Sequence, residues 1–169
     1  MVENKIVPAD FHGIESLDSE VLLLPIFVEE RPLKGVAGFV DWQLNGYLSG
    51  LVINRLFLPN DGGLLLFPTR TAFPVPKILM YGMGKVKELT IPKILLHYRK
   101  IMEVLSRAKF MSFAAPLPGS ILSPLSVDDL ATAWVQMINN HYSGENVITL
   151  IPKQHTHSLQ AALLRSKRK

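Results

Sequence analysis

The chain has 169 residues, of which 48% are hydrophobic and 19% are charged, and its formal net charge is +4. It contains no cysteine, so disulfides, thiolate zinc sites and a cysteine nucleophile are excluded. No apolar stretch approaches the roughly 20 residues that a membrane span needs, and the start MVENKIVPADFHG lacks the pattern of a secretory signal, so we expect a cytoplasmic protein.

The first half of the chain predicts three strands and one helix. The continuous apolar run EVLLLPIFV (20–28) is typical of a strand that is covered on both faces. From Gly35 to Val52, apolar residues recur near helical spacing, which predicts one amphipathic helix. The segments LLLF (64–67) and KILMYGMG (77–84), each next to glycine or proline turn signals, predict two further buried strands.

The second half predicts three helices and two strands. Thr90 is placed to cap a helix that continues to about Leu105. The segment MSFAAP (111–116) predicts a strand, and a loop rich in Pro, Gly and Ser follows it. Ser126 with Asp129 forms a capping-box-like start for a helix whose apolar positions continue to His141. The segments NVITLIP (146–152) and HSLQAALLRSK (157–167) predict a last strand and a last helix.

The net charge is concentrated at the C-terminus. Four basic residues there equal the whole formal excess: Arg165, Lys167, Arg168 and Lys169. We interpret this tail as a solvated helix end, since cations suit a helix C-terminus. Contact with nucleic acid phosphates is the alternative.

The alternation of strands and helices predicts the architecture. Parallel neighbouring strands need crossover connections, so this order favours a mixed, mainly parallel sheet between layers of helices. Neither an internal repeat nor a long linker is visible. We therefore expect a single α/β domain over residues 1–169.

Three segments resemble the N-terminal domain of leucyl aminopeptidases: GYLSGLV (46–52), GGLLLFP (62–68) and KILMYGMGKVKELT (77–90). The resemblance extends from about Glu20 to about Tyr142. It implies a macro-domain-like fold, a three-layer α/β/α sandwich. In that family the metal-binding catalytic residues belong to a second domain with motifs like VGKG-TFDSGG and NTDAEGRL, and neither motif occurs here. No catalytic residue, metal site or cofactor is therefore predicted.

Two glycine-containing loops are candidates for phosphate binding. Gly82, Gly84 and Lys85 follow a predicted strand and offer backbone amides and an ammonium group to an anion. The loop lacks the length and the Ser or Thr of a P-loop, so a tight structural turn is the simpler interpretation. In the resembled domain this loop is structural.

The second candidate loop follows the predicted strand 111–116. Gly119, Ser120 and Ser123 lie where ligands bind in open α/β sheets, beyond the carboxyl end of a strand. In macro domains, which this region resembles in position only, the corresponding loop surrounds the phosphates of ADP-ribose. An ordinary connecting loop is the simpler interpretation.

The remaining histidines and tryptophans give weaker signals. His155 and His157 have a spacing that metals sometimes use, but two ligands alone do not make a site. No sequence neighbour of His97 suggests a catalytic triad. Trp134 falls in an apolar set, whereas Trp42 falls among polar residues and is either an interface anchor or partly buried.

Three functions remain open. The first is a noncatalytic binding or interaction module, resembling the aminopeptidase N-terminal domain, with an unidentified protein partner or an oligomer. The second is a macro-like domain that binds a nucleotide or an ADP-ribose derivative. The third is a DNA-binding accessory domain that uses Lys85, Lys87, Lys93 and the basic tail.

Overall fold

The computed structural model describes residues 1–70 and 72–168, in which six strands alternate with helices. The strands are β1 (Glu3–Pro8), β2 (Val21–Phe27), β3 (Leu64–Pro68), β4 (Lys77–Gly84), β5 (Ser112–Pro116) and β6 (Asn146–Ile151). The helices are α1 (Phe11–Glu15), α2 (Gly35–Gln43), α3 (Tyr47–Ile53), α4 (Ile91–Arg107), α5 (Val127–His141) and α6 (Thr156–Ser166). Short 3-10 turns lie at Val86–Glu88 and Lys153–His155.

The strands form one sheet in the order β1-β6-β5-β2-β4-β3. Every neighbouring pair is parallel except β3 with β4, which is antiparallel. This confirms the predicted mixed, mainly parallel sheet. The central strand β2 lies between β5 and β4 and is parallel to both, so the carboxyl ends of these three strands point the same way.

Helices cover both faces of the sheet and bury two apolar clusters. Alternate residues of β2 point to opposite faces, as the pleat of a strand requires. Leu22 and Leu24 pack with α1, α2 and α3, whereas Val21 and Leu23 pack with α4, α5 and α6. The three-layer α/β/α architecture is therefore confirmed.

The predicted helix caps are present. The Lys93 amide donates to Thr90 Oγ1 at 3.3 Å, and Pro92 lies in the first turn of α4, where no amide partner is lost. The Asp129 amide donates to Ser126 Oγ at 3.1 Å at the start of α5. These side chains fix where α4 and α5 begin, and so they fix the loops that precede them.

Two predictions about the first half of the chain were wrong. The single helix expected from Gly35 to Val52 is two helices, α2 and α3, because Asn45 and Gly46 both adopt positive φ values, 54° and 78°. The strand expected to be buried at 64–67 is β3, which lies at the edge of the sheet with alternate residues exposed. Its run of apolar residues therefore does not reflect burial on both faces.

The chain termini add elements at the other edge. β1 and α1 were not predicted, because Glu3, Asn4 and Lys5 break any apolar run. At the C-terminus, Arg165 lies in α6 and Arg168 follows the helix, while Lys169 lies outside the described residues. No helix in the described ranges is long and apolar enough to cross a membrane.

Candidate functional site

A narrow cleft lies where β2 and β5 end. Val21 and Leu22 pair in parallel with Phe113 and Ala114, so the segments that follow the two strands leave the sheet side by side. The cleft between these segments is lined by Pro25, Phe27, Glu30, Lys34, Val36, Ala37, Pro116, Leu117, Gly119, Ser120 and Ile121. Ligands of open α/β sheets bind at such positions, beyond the carboxyl ends of adjacent strands.

One side of the cleft is the start of α2. Val36, Ala37 and Val40 are buried against the sheet and hold the helix in place. Lys34 occupies the N-cap position, but its side chain makes no capping bond, and the first turn contains no acidic residue. The first amides of a helix that lacks a side-chain cap, together with the positive end of its dipole, suit an anion.

The other side is the turn 117–121. The amide and hydroxyl groups of Ser120 both donate to the Leu117 carbonyl, at 3.2 and 2.7 Å. Gly119 has a φ of 85°, and the buried Tyr98 of α4 donates its hydroxyl hydrogen to the Pro118 carbonyl. The amides of Gly119 and Ile121 donate to no other group in the part of the chain that the structure describes. The contacts of Ser120 and Tyr98 thus fix the turn, while these two amides have no acceptor among the described residues.

The cleft is nearly closed, with a volume of about 20 Å³. Ile121 is the reason, because its Cδ1 occupies the space that a Cβ on Gly35 would need. A ligand the size of a phosphate can enter only if the Ile121 side chain moves. The atom that closes the cleft is the end of a flexible side chain rather than backbone.

Glu30 places a carboxylate in the same cleft. The side chain is only 4% exposed, and its Oε2 accepts a hydrogen bond of 2.7 Å from the Phe27 amide. Burial raises the pKa of Glu30, and the amides of Phe27 and Lys34 oppose that shift more weakly. An ionised Glu30 opposes a bound anion, so its protonation favours anion binding.

The predicted site residues divide into two groups. Gly119 and Ser120 line the cleft, and the Ser123 hydroxyl, outside the lining, accepts a hydrogen bond from the Leu125 amide at 3.0 Å. Gly82 and Gly84 do not line it, and their amides donate to the carbonyls of Gly63 and Pro59 at 2.7 and 3.0 Å. The β2 end lies between the two loops, so the structure does not bring them together into one pocket.

A network of polar side chains links β4, α4 and the loop before β3. Tyr81 Oη lies 2.7 Å from His97 Nδ1, and His97 Nε2 lies 3.3 Å from Asp61 Oδ1 without hydrogen-bond geometry. Burial lowers the pKa of His97, and the nearby Asp61 carboxylate only partly opposes this. Lys93 pairs with Asp61 at 2.8 Å and lowers the pKa of that carboxyl. Tyr81 and His97 are buried, whereas the side chains of Lys93 and Asp61 are 29% and 43% exposed, so only the Asp61–Lys93 end of this network meets solvent.

The other sequence candidates lie apart from the cleft. His155 ends a 3-10 turn and His157 lies in the first turn of α6. No group of three or more metal-binding side chains occurs within the described ranges. Trp134 is fully buried, whereas Trp42 is 73% exposed beside Phe11. Trp42 also borders an open cleft of about 720 Å³ next to Pro68, which lies at the end of the sheet where β4 begins.

No family model matches this chain, but solved structures share its fold. The macrodomain of Mycobacterium tuberculosis DarG matches with a TM-score of 0.67 and 13% identity over 89% of this chain and 99% of that chain. The Oceanobacillus iheyensis macrodomain with ADP matches with a TM-score of 0.72 and 16% identity over 96% and 90%. A mutant tomato leucine aminopeptidase matches with a TM-score of 0.59 and 15% identity over 96% of this chain and 36% of that chain. The fold is therefore that of a macrodomain.

The sequence analysis missed half of the cleft. Glu30 and Lys34 come from the segment between β2 and α2, and Gly35 begins α2; this region carries no motif that predicts a site. A signal was nevertheless present, because a helix that begins with glycine and follows a buried strand after a short loop is a common setting for anion binding. Ile121 was missed because its position over Gly35 depends on strand order.

Proposed function

We propose that this chain is a macrodomain-like module that binds a nucleotide or an ADP-ribose derivative in the cleft between β2 and β5. The observation that carries the proposal is that the uncapped start of α2 and the turn that contains Gly119 and Ile121 line one cleft. The fold likeness to macrodomain structures named with ADP and with ADPR supports it. The phosphates of the ligand lie against the amides of that helix start and that turn, and Lys34 adds a cation at the rim.

Two residues oppose binding in the closed form of the site. Ile121 fills the space, and an ionised Glu30 repels the phosphates. Removing either obstacle increases affinity if the ligand binds here. Ile121→Ala vacates the space, and Glu30→Gln removes the charge while keeping an oxygen that accepts from the Phe27 amide.

Isothermal titration calorimetry with ADP-ribose, ADP, AMP and adenosine tests the proposal. A thermal-shift panel of nucleotides extends the search, because a ligand that binds the native state raises its apparent stability. We expect ligands with a diphosphate to bind, and both variants to bind them more tightly. Leu164→Ala on α6, with a side chain 61% exposed and outside the cleft lining, is the control and leaves affinity unchanged. If millimolar ligand binds neither the wild-type protein nor the Ile121→Ala and Glu30→Gln variants, the proposal is contradicted.

A second candidate is a noncatalytic interaction module related to the aminopeptidase N-terminal domain. The structural match to tomato leucine aminopeptidase, in which this chain spans 36% of that chain, favours it. Such a module neither hydrolyses leucyl p-nitroanilide with manganese, cobalt or zinc nor binds the nucleotide panel. Hydrolysis that tracks the purified protein would overturn this second candidate.

A further inference from the structure

Two open clefts adjoin each other beside α2. The first, of about 720 Å³, is bounded by the end of α2, the end of β3 and the loop that leads to β4. The second, of about 660 Å³, lies along α2. Trp42, Gln43 and Asn45 line both clefts, so they form the wall between them. We call the two clefts together the Trp42 groove. Among the described residues, it shares no lining residue with the proposed nucleotide cleft.

Aromatic rings form much of the first cleft, and neighbouring side chains hold them in place. Phe67 and Phe73 pack against the apolar layer of α2 and α3. Tyr47 contacts the Phe67 ring edge to face, with centroids 5.5 Å apart, and Trp42 contacts Phe11 in the same way at 5.4 Å. Even so, Tyr47 is 52% exposed and Trp42 is 73% exposed. Tyrosine and tryptophan are enriched where proteins bind partners, because their large rings bury much surface with few rotatable bonds.

Two polar side chains of the first cleft act only as hydrogen-bond donors. They are the Trp42 indole and the Arg70 guanidinium. Arg70 takes part in none of the ion pairs found among the described residues. The Thr69 hydroxyl is engaged, because it donates to the Val75 carbonyl. Glu15 is the one acid among the described residues that line this cleft. A matching ligand therefore presents several acceptors, and a cation where it meets Glu15.

The open walls favour a peptide over a small molecule. A small-molecule pocket encloses most of the surface of its ligand. Here the wall between the two clefts carries a tryptophan that is mostly exposed, so a ligand stays open to solvent on one side. An extended chain that crosses this wall fills both clefts at once.

The donors and the position of β3 decide which peptide conformation fits. A helix satisfies most of its own carbonyl groups, so it leaves Trp42 and Arg70 without acceptors. An added strand needs the backbone of a sheet edge, but β3 gives the groove only Phe67 and Pro68, and proline has no amide. A polyproline II peptide has no internal hydrogen bonds, so all of its carbonyls are free to accept. Its prolines carry no amide that would need an acceptor.

We propose that the Trp42 groove binds a proline-rich peptide in the polyproline II conformation. Such segments dock in aromatic-lined grooves, and their stiffness keeps the entropy cost of binding low. With three residues per turn, residues on the same face recur about every 9 Å, so one enters each cleft and Trp42 lies between them. The peptide carbonyls accept from Trp42 Nε1 and from Arg70. A basic residue next to the prolines pairs with Glu15.

Tryptophan fluorescence of the wild-type protein locates the binding. The chain contains two tryptophans, and Trp134 is fully buried, so a change in solvent exposure reports on Trp42. We expect a proline decamer to shift the emission to shorter wavelength and to reduce quenching by acrylamide. A flexible decamer of glycine and serine leaves both unchanged. No effect of the proline decamer at about 1 mM, enough to half-fill a site worth about 4 kcal/mol, overturns the proposal, as does an equal effect of the glycine and serine peptide.

Isothermal titration calorimetry with variants tests the named contacts. We expect Trp42→Ala to weaken binding of the proline decamer by about tenfold or more. A decamer with an added arginine binds wild type more tightly, and Glu15→Gln abolishes that difference without changing the affinity for the plain decamer. Leu164→Ala is the control, because Leu164 lies on α6 outside both clefts.

Two results of this calorimetry would contradict the proposal. The first is a Trp42→Ala variant that binds the proline decamer as tightly as wild type does. The second is a Glu15→Gln variant that keeps the full preference for the peptide with arginine. Neither experiment contains a nucleotide, so failure here is distinct from failure of the proposed nucleotide cleft.

Discussion

Replacing Gly82 by alanine tests whether the turn at the end of β4 is structural. A Cβ at this position would overlap the Asn60 carbonyl oxygen and press on the Pro59 carbonyl carbon. Both are backbone atoms, so no side-chain rotation relieves the overlap. The segment that carries Pro59 and Asn60 has to move away from β4 in the variant.

The hydrogen bonds that such a movement disturbs set the magnitude. Gly82 donates to Gly63 at 2.7 Å and accepts from Gly62 at 2.9 Å, and Gly84 donates to Pro59 at 3.0 Å. Overpacking alone costs about 1–3 kcal/mol. Each weakened hydrogen bond adds about 1 kcal/mol. With all three bonds weakened, we therefore expect Gly82→Ala to lower the free energy of unfolding by about 4–6 kcal/mol, a large part of the usual total of about 5–15 kcal/mol.

Urea unfolding followed by far-ultraviolet circular dichroism measures this loss. Gly50→Ala is the control, because Gly50 lies in α3 with no atom within 4 Å of the added Cβ. Alanine there stabilises the helix by up to about 1 kcal/mol. If Gly82→Ala unfolds like wild type but no longer binds ADP-ribose, the structural account of the turn is refuted and a phosphate-binding role is favoured.

Three further predictions concern buried polar groups. Trp134→Phe removes the 3.1 Å hydrogen bond from Trp134 Nε1 to Thr149 Oγ1 and leaves Thr149 buried without that partner, so urea unfolding should show a loss of about 2–3 kcal/mol. Because burial raises the pKa of Glu30, the native state holds the Glu30 proton more tightly than the unfolded state does, and wild-type stability falls as the pH rises above the usual pKa of 4.5. Glu30→Gln removes this loss. We therefore expect the variant to be more stable than wild type at pH 7, with a difference that shrinks in acid. Burial lowers the pKa of His97, so the pH dependence is the reverse of that for Glu30, and wild-type stability falls as the pH drops below 6.5. Thermal melts of His97→Gln over this pH range should show no such fall in stability. An unchanged pH dependence in the variant would mean that His97 is not its source.

The sequence predicted the buried centre of the sheet well. β2 and β4 are covered on both faces, so they appear as continuous apolar runs that periodicity identifies. The caps at Thr90 and Ser126 are local interactions between residues three apart, so spacing alone is sufficient to find them.

The edges of the sheet were harder to predict. β3 contains three consecutive leucines, yet its position at the edge depends on pairing with β4 and not on its own composition. From Glu3 to Ile6, β1 alternates exposed and half-buried residues, because successive side chains point to opposite faces of the sheet. The break between α2 and α3 depends on positive φ at Asn45, which composition alone does not reveal.

Only the half of the candidate site that lies in a single loop could be predicted, because the other half depends on which strands pair. Gly119 and Ser120 were found because the loop that contains them is rich in small residues after a strand. Glu30 and Gly35 lie about 85 residues earlier in the chain and meet that loop only because β5 pairs with β2. No local pattern in a single sequence encodes that pairing.

The contrast between Gly35 and Gly82 indicates which glycine region is able to admit a ligand. Backbone atoms face Gly82, whereas the end of the Ile121 side chain faces Gly35. A rotamer change that moves Ile121 off its preferred position costs about 0.5–1.5 kcal/mol. An open form disfavoured by about 1.4 kcal/mol lowers the apparent affinity about tenfold. Ile121→Ala abolishes that cost, so we expect it to tighten ADP-ribose binding by about this factor, and weaker binding by the variant would mean that Ile121 contacts the ligand instead of excluding it.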